Sequence, residues 1–362
     1  MSPLRVALLG YGLAGRVIHR PLVLAVPDLV LTHVVTADPE RRRQVVQDLP
    51  DAQLVSSAQE LWGRADEFDV VVVATNNDVH VPLAAAALDR GKAVVVDKPL
   101  AQSAVQAVEL VARGGLLSVF HNRRWDGDTR TARQLLDNGV LGDVHRLEAR
   151  FTRFRPQVQD RWRERPGGGG VLLDLGTHVV DQATFLLGPV ISVRADVRAL
   201  RAGALVDDDV FLELRHAGGQ SSLLWASAAA PWPGPRLVLQ GSRGGWAQHG
   251  LDGQEAAQGE GVPYAGEPDG MLVDETGARA APCLPGDWPA YYRLFAAAVR
   301  GDGPVPVDPA DAVVVAQVLE AAVVSSASGH VVPVVHREGH AQQLVATPGS
   351  RQHSRPAGRR AD

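Results

Sequence analysis

Residues Leu4 to Gly15 read Leu-Arg-Val-Ala-Leu-Leu-Gly-Tyr-Gly-Leu-Ala-Gly, and this stretch decides the fold. Its first six residues form a short apolar run, the pattern of a buried strand. Then comes G-x-G-x-x-G, followed by a stretch from Arg16 to Val26 that can be helical. Strand, glycine triplet and helix in that order make a dinucleotide-binding turn. Gly10 forms the tight turn, Gly12 admits a pyrophosphate to the backbone, and Gly15 lets the helix pack on the strand. The helix N-terminus adds free N–H groups and partial positive charge for phosphates.

The pattern repeats downstream. Leu29 to Thr36 reads as a second strand, and Asp38-Pro39 starts a helix with Asp as cap and Pro at the first helical position. Gln53 to Val55 leads to Ser57-Ala58-Gln59-Glu60, a capping box. Asp69 to Thr75 contains four consecutive valines, which suits a parallel strand covered on both faces. A helix from about Val81 to Arg90 and strands at Ala93 to Val96 and Leu116 to Phe120 complete the series. Alternating strands and helices imply a doubly wound parallel sheet of the Rossmann type, α/β in class. The expected division is a dinucleotide-binding domain over 1–121, a substrate-binding and oligomerisation domain over 122–345, and a disordered tail over 346–362.

Ligands of such sheets lie beyond the carboxyl ends of the strands. Those ends carry Thr36, Thr75-Asn76-Asn77, Asp97-Lys98-Pro99 and His121-Asn122-Arg123. Lys98 is one of two lysines in the chain, the other being Lys92. A sequence that otherwise uses arginine but keeps lysine here suggests a compact, titratable ammonium; the bland alternative is a pair with Asp97 or solvent. NAD sites place an acid at the end of the second strand, on the ribose 2′-hydroxyl. Thr36 stands there instead, and Asp38 serves as a cap. Arg41, Arg42 and Arg43 can reach a 2′-phosphate or simply form a solvated helix face. The cofactor expected is therefore NADP or NAD, with NADP favoured.

The second half has another texture. Residues 129 to 138 look helical, and Val144 to Phe154 alternates like a half-exposed strand. Further strand-like runs are Val190 to Leu200, Asp209 to Arg215, Ser221 to Ala226 and Arg236 to Gln240. Sequential strands without helices between them imply a mostly antiparallel open sheet in an α+β domain. Residues 288 to 300 and 309 to 328 read as helices, and Gly250 to Pro285 as a long irregular excursion. Within this half, Gly167 to Gly170 run into Val-Leu-Leu-Asp174-Leu-Gly-Thr-His178-Val-Val-Asp181. Asp174 and His178 are four apart and share one helix face, with Asp181 flanking it. Burial there can move their pKa values toward working pH. A buried pair that merely satisfies itself is the plain alternative.

Composition narrows the classes. The 362 residues carry 36 Lys plus Arg against 41 Asp plus Glu, a net charge of −5, so nothing marks a nucleic-acid partner. A single cysteine, Cys283, excludes an intrachain disulfide and fits a reducing, cytoplasmic setting. No signal peptide and no membrane span are expected. Metal ligands in a recognisable spacing do not occur.

The succession GYGLAG (Gly10–Gly15), ATNNDVH (Ala74–His80), Asp97-Lys98-Pro99, HNRR (His121–Arg124) and GGGVLLDLGTHVVD (Gly168–Asp181) resembles the Gfo/Idh/MocA family of NAD(P)-dependent oxidoreductases. The resemblance covers about residues 3 to 340. AGRVIHRPL (Ala14–Leu22) and HGLDGQEA (His249–Ala256) look closest to the branch containing scyllo-inositol dehydrogenases. It implies hydride transfer between nicotinamide and a secondary alcohol or ketone of a sugar or cyclitol, and a homodimer or homotetramer. Carried over by motif, Lys98 would hydrogen-bond the reacting oxygen, His178 would exchange its proton, and Asp174 would orient the pair. The cofactor set becomes Gly10, Gly12, Leu13, Ala14, Thr36, Arg41, Thr75, Asn77, His80, Asp97 and Lys98. Asn122, Arg123, Trp162, Asp174 and His178 are the substrate candidates, with Trp125, Asp160, Arg161, Tyr291 and Tyr292 as further polar or aromatic candidates. Family members that recycle a bound NAD, and nucleotide-sensing regulators on the same fold, are the alternative readings. Three departures stand out: Asp97 replaces the usual Glu of Glu-Lys-Pro, Asn76 replaces the usual proline, and Thr36 replaces an acid.

Overall fold

A computed structural model describes residues 2–266 and 268–335. The expected tail over 346–362 and the last residues of the second domain lie outside the described residues. The first sheet holds β1 (Leu4–Leu9), β2 (Leu29–Val35), β3 (Gln53–Val55), β4 (Val70–Val73), β5 (Ala93–Asp97) and β6 (Leu117–Phe120). Its order is β3-β2-β1-β4-β5-β6, and every pairing is parallel. This is the doubly wound order of a dinucleotide-binding sheet.

The valine run shows why the sheet is double-faced. Val70 and Val72 pack into one core with Val6, Leu8 and Val95, while Val71 and Val73 pack into another with Ala7, Leu9, Val94 and Val96. Successive side chains of a strand point to opposite faces, so an unbroken apolar run needs a cover on each side. Each valine so buried contributes roughly 1.5–3 kcal/mol of apolar transfer.

Part of that cover comes from far along the chain. The helix Pro289–Val299 sends Tyr291, Tyr292 and Phe295 into the first of these cores, and Trp288 at its start joins them. Ala312 of the helix Pro309–Ser328 joins the second. The Ser118 hydroxyl donates to the Val307 carbonyl at 2.9 Å, fixing the returning segment to β6. Tyr291 and Tyr292, candidates for substrate contact, are thus fully buried packing residues.

The second sheet holds β7 (Val144–Thr152), β8 (Val190–Arg198), β9 (Asp209–His216), β10 (Ser221–Ser227), β11 (Leu237–Gly241), β12 (Gly244–Gln248), β13 (Gly270–Asp274), β14 (Gly277–Ala281) and β15 (Val332–Pro333). Its order is β14-β13-β12-β11-β7-β10-β9-β8-β15, antiparallel except for the parallel β7–β10 pair. The helices Thr177–Leu187 and Pro309–Ser328 cover one face through a core that includes Leu147, Phe151, Val179, Leu212 and Val318. The expected irregular excursion is corrected here. It contains the helix Gln254–Glu260 and the β13–β14 hairpin. β13 and β14 are five residues each, and β14 is exposed along nearly its whole length, so little hydrophobic signal marks the hairpin.

One helix bears on the membrane expectation. Pro309–Ser328 is long and apolar enough by composition to cross a bilayer. In this fold it is a packed helix, and its Asp311 pairs with Arg124 at 2.9 Å.

Candidate active site

The glycine loop after β1 is as tight as its sequence requires. Gly10 has φ +94°, and a Cβ there would stand 2.3 Å from the Ala74 carbonyl oxygen. A Cβ on Gly15 would stand 2.1 Å from the Gly10 carbonyl oxygen. Around Gly12 the nearest neighbour of such an atom is the Arg41 guanidinium, 3.8 Å away, a flexible side-chain tip and no backbone. A π-helical turn, Ala14–His19, continues into the α-helix Arg20–Leu24, and its first N–H groups point out of the loop.

A cleft of about 650 Å³ opens there. Gly10, Gly12, Leu13, Ala14, Thr36, Arg41, Thr75, Asn77, Asp97 and Lys98 all line it. A pyrophosphate and two nucleosides suit this cradle: backbone N–H groups at the loop, no backbone crowding Gly12, and the Arg41 cation beside it. His80 is the exception among the expected cofactor residues. It is buried, with Nδ1 2.8 Å from the Pro99 carbonyl and Nε2 3.2 Å from that of Thr75. It ties the loops after β4 and β5 together and does not line the cleft.

The three arginines after Asp38 separate cleanly. Asp38 caps the helix Pro39–Asp48, accepting from the N–H groups of Glu40 and Arg41. Arg41 leans over Gly12, Arg42 donates to the Thr36 carbonyl at 3.2 Å and to Ser56 Oγ at 3.1 Å, and Arg43 pairs outward with Glu40.

Across the cleft lies the second half of the site. Trp162, Arg163 and Asp174 line the same space as Lys98. Lys98 Nζ donates to Asp174 Oδ1 at 2.8 Å and to the Asp174 carbonyl at 2.7 Å. Two of the three ammonium N–H groups are thereby committed, leaving one. His178 is buried and stacks on the Phe151 ring, centroids 5.7 Å apart; its Nδ1 has no hydrogen-bond partner. Asp174 belongs to a π-helical turn, Leu172–Gly176, that runs into the α-helix Thr177–Leu187 carrying His178. Such wide turns recur at functional sites because they offset the side chains that follow.

The charge states differ from the expectation that burial would draw them toward working pH. Burial opposes the charge on Asp174, yet Lys98 and Arg163 hold its carboxyl at about 2. Asp97 is likewise held at about 2 against burial, by His19 3.9 Å away and by Lys98. For His178, burial and then the positive charge of Lys98 and Arg123 push the pKa well below the usual histidine range. At neutral pH Asp174 and Asp97 are therefore carboxylates and His178 a neutral imidazole.

These shifts have a consequence for stability. Burial also lowers His121, to about 4. Unfolded, both histidines titrate near ~6.5. Between these values the unfolded chain binds more protons, so acidification favours it. The melting temperature is expected to fall steadily as pH is lowered from 7 to 4.5, measured by calorimetry. A level profile across that window would contradict buried neutral histidines.

The glycine run earns its composition through backbone, not flexibility. A Cβ on Gly169 would meet the Arg163 and Arg165 carbonyls at 2.4 and 2.5 Å, and one on Gly170 the Asp207 carboxylate at 2.3 Å. Asn77 Nδ2 donates to the Gly168 carbonyl at 2.8 Å, and Gln102 Nε2 to that of Gly167 at 2.9 Å. The run stitches the second half to the loops of the first sheet. Asp207, which the sequence did not flag, accepts from the Leu172 N–H at 2.6 Å and anchors the start of the π turn.

The remaining candidates are partly elsewhere. Asn122 and Arg123 are buried, and Arg123 pairs with Asp126 at 3.1 Å and Glu255 at 2.8 Å. Asp181 pairs with Arg124 at 2.6 Å, a structural ion pair. Asp160 and Arg161 form local ion pairs with Arg165 and Glu164. Trp125 packs edge-on against Tyr291.

A parallel sheet with this loop, joined to an open sheet whose covering turn brings an acid to a strand-end lysine, defines a two-part nucleotide-dependent oxidoreductase. The family model described as "Oxidoreductase family, NAD-binding Rossmann fold" matches residues 4–115, and "GFO/IDH/MocA C-terminal domain" matches residues 129–247. The chain belongs to the GFO/IDH/MocA oxidoreductase family. It is 39% identical over 338 residues to an uncharacterized oxidoreductase, YdgJ, of Escherichia coli, covering 89% of this chain and 96% of that one. It is 32% identical over 353 residues to the scyllo-inositol 2-dehydrogenase (NADP(+)) IolW of Bacillus subtilis, covering 93% and 97%. The solved structure of an oxidoreductase, yvaA, of Bacillus subtilis superposes with a TM-score of 0.86 at 31% identity, covering 92% and 99%.

Proposed function

We propose that this protein is an NADP-preferring dehydrogenase acting on a secondary alcohol, or the corresponding ketone, of a sugar or cyclitol. The observation that carries the reading is the Lys98 Nζ, held on Asp174 with one N–H left over, on the wall of the nucleotide cleft. Bound nicotinamide would supply the hydride chemistry. The side chains would do the rest. Lys98 hydrogen-bonds the reacting oxygen and stabilises charge developing on it. His178 takes the hydroxyl proton in oxidation and returns it in reduction, a contribution of typically ~10²- to 10⁴-fold. Asp174 fixes the ammonium in place. The name borne by the 32% identical Bacillus subtilis relative agrees with this chemistry and with NADP. A cytoplasmic setting and a homodimer or homotetramer form part of the same proposal.

The test is absorbance of reduced nicotinamide with inositols, keto-inositols, hexoses and their acidic derivatives, using NAD and NADP in parallel. Absence of turnover with either cofactor, together with tight binding of one, would sink the proposal.

Cofactor choice has its own support. Arg41 leans over Gly12, Arg42 is fixed at the end of β2, and no acid occupies position 36. Arg41→Ala is expected to raise KM for NADP by ~10- to 100-fold and leave KM for NAD within about twofold. Equal effects on the two cofactors would remove Arg41 from 2′-phosphate recognition.

A further inference from the structure

We propose that the substrate of this site carries an oxyanion, a carboxylate or a phosphate, and that the Arg153 guanidinium holds it. The proposal rests on the dehydrogenase reading above and narrows its substrate class.

The strand β7 alternates, and Leu147, Ala149 and Phe151 form its buried face. Arg153 follows two residues on, so it continues that inner face just past the end of the strand. Its backbone is fixed there. The Arg153 N–H donates to the Ser227 carbonyl at 2.8 Å, and its carbonyl accepts from Ala230 at 3.1 Å. A cation therefore stands where the pattern calls for an apolar residue.

The Phe151 ring shows what surrounds it. His178 stacks on this ring, and the guanidinium groups of Arg153, Arg123 and Arg236 lie 5.0, 5.1 and 5.7 Å from its centre. Arg153 and the proposed proton acceptor thus contact the same ring.

Partners separate the three arginines. Arg123 has Asp126 and Glu255. Arg236 donates to Gln182 Oε1 at 2.7 Å and lies 3.4 Å from Asp128. Arg153 alone of the three has no ion pair and no side-chain hydrogen bond among the described residues. The charged groups that it faces are Glu255, Asp174, Arg155 and Arg123. Both carboxylates are already engaged, Glu255 by Arg123 and Asp174 by Lys98 and Arg163. Half-buried and unpaired, Arg153 feels burial as a pressure against its charge.

A half-buried guanidinium without a counterion is an open binding group, and a bidentate oxyanion is its best match. Two other polar atoms at the ring, His178 Nδ1 and Arg236 Nη1, are buried with no partner and suit the hydroxyls of the same ligand. A neutral polyol would satisfy those atoms and leave Arg153 unpaired. An oxyanion satisfies both needs.

The experiment uses the full chain saturated with NADP+, as wild type, Arg153→Met and Arg153→Lys. D-glucuronate, D-glucose 6-phosphate and myo-inositol are titrated calorimetrically, and turnover is measured with each. At least one of the two anions is expected to bind wild type ~30- to 100-fold more tightly than Arg153→Met, with partial recovery in Arg153→Lys and unchanged NADP+ affinity. Glucuronate and the phosphate ester distinguish carboxylate from phosphate. Anion affinities equal in wild type and Arg153→Met would overturn the proposal, whatever the turnover. Anion binding that depends on Arg153, with no turnover of any compound, would leave this inference standing and defeat the dehydrogenase reading.

Discussion

Replacing Lys98 by methionine is expected to lower kcat by ~10³-fold or more while leaving the dissociation constant for NADPH within about threefold. The size follows from two losses together. The reacting oxygen loses a charge-assisted donor at the moment its charge develops, and a preorganised donor of this kind is typically worth ~10²- to 10³-fold. Asp174, held at about 2 chiefly by Lys98, also loses the ammonium that keeps it ionised and in place. Methionine preserves the length and apolar stem of lysine, so the cleft keeps its shape. Arginine should not rescue. Its planar fork is larger than the ammonium, and Asp174 Oδ1 and carbonyl already grip the smaller group. Stopped-flow hydride transfer, with nucleotide binding by fluorescence, checks both halves. Activity within tenfold of wild type would remove Lys98 from the chemistry.

The second large effect is on the fold and the cofactor at once. Gly10→Ala places a side chain at φ +94°, and its Cβ would stand 2.3 Å from the Ala74 carbonyl oxygen. The left-handed backbone alone costs an L-residue roughly 1–2 kcal/mol. Overpacking against a backbone atom of β4's connection adds roughly 1–3 kcal/mol, since that atom cannot turn away as a side-chain tip can. Together they predict a drop in melting temperature of roughly 5–15 °C. The strand end must shift to relieve the clash, and the loop that approaches the pyrophosphate shifts with it. NADPH affinity is expected to fall by more than ~100-fold in calorimetric titration. A variant that melts and binds like wild type would contradict the tight-turn role of Gly10.

How much of this was legible in the residues alone depended on whether the signal was local. Gly10 and Gly15 announce the loop because only a residue without a Cβ fits there, and Gly12 completes the motif. The four valines of β4 announce a sheet covered on both faces. The second sheet was legible as strands, but β12, β13 and β14 were not. Gly244–Gln248 and Gly277–Ala281 carry too few apolar residues to show an alternation. At the site, Lys98 and Asp174 were visible by rarity and by motif, and the structure brings them to 2.8 Å. Their protonation states were not visible, because they depend on neighbours remote in sequence, Arg163 for Asp174 and Arg123 for His178. Arg41 was the one cofactor candidate named among the three arginines, and the turn of their helix is what brings it against Gly12. Arg153 had one available signal, its place two residues after Phe151 on the inner face of β7. It reads as an ordinary strand-end charge until its neighbours are counted and found to be taken.

The return of Pro289–Val299 to the first sheet bears on how the chain comes into being. Synthesis delivers all six strands of that sheet by Phe120, but Trp288, Tyr291, Tyr292 and Phe295 arrive some 170 residues later. Until then the side of the sheet bearing Val70, Val72 and Phe120 lacks its aromatic lid. The N-terminal half therefore emerges from the ribosome with an apolar surface exposed for the whole time that the second sheet is being made. At ~5–20 residues per second that interval is of order ten to thirty seconds. An organism making this protein must keep such a nascent chain from associating with others, and a fragment ending near residue 121 would inherit the same bare surface permanently.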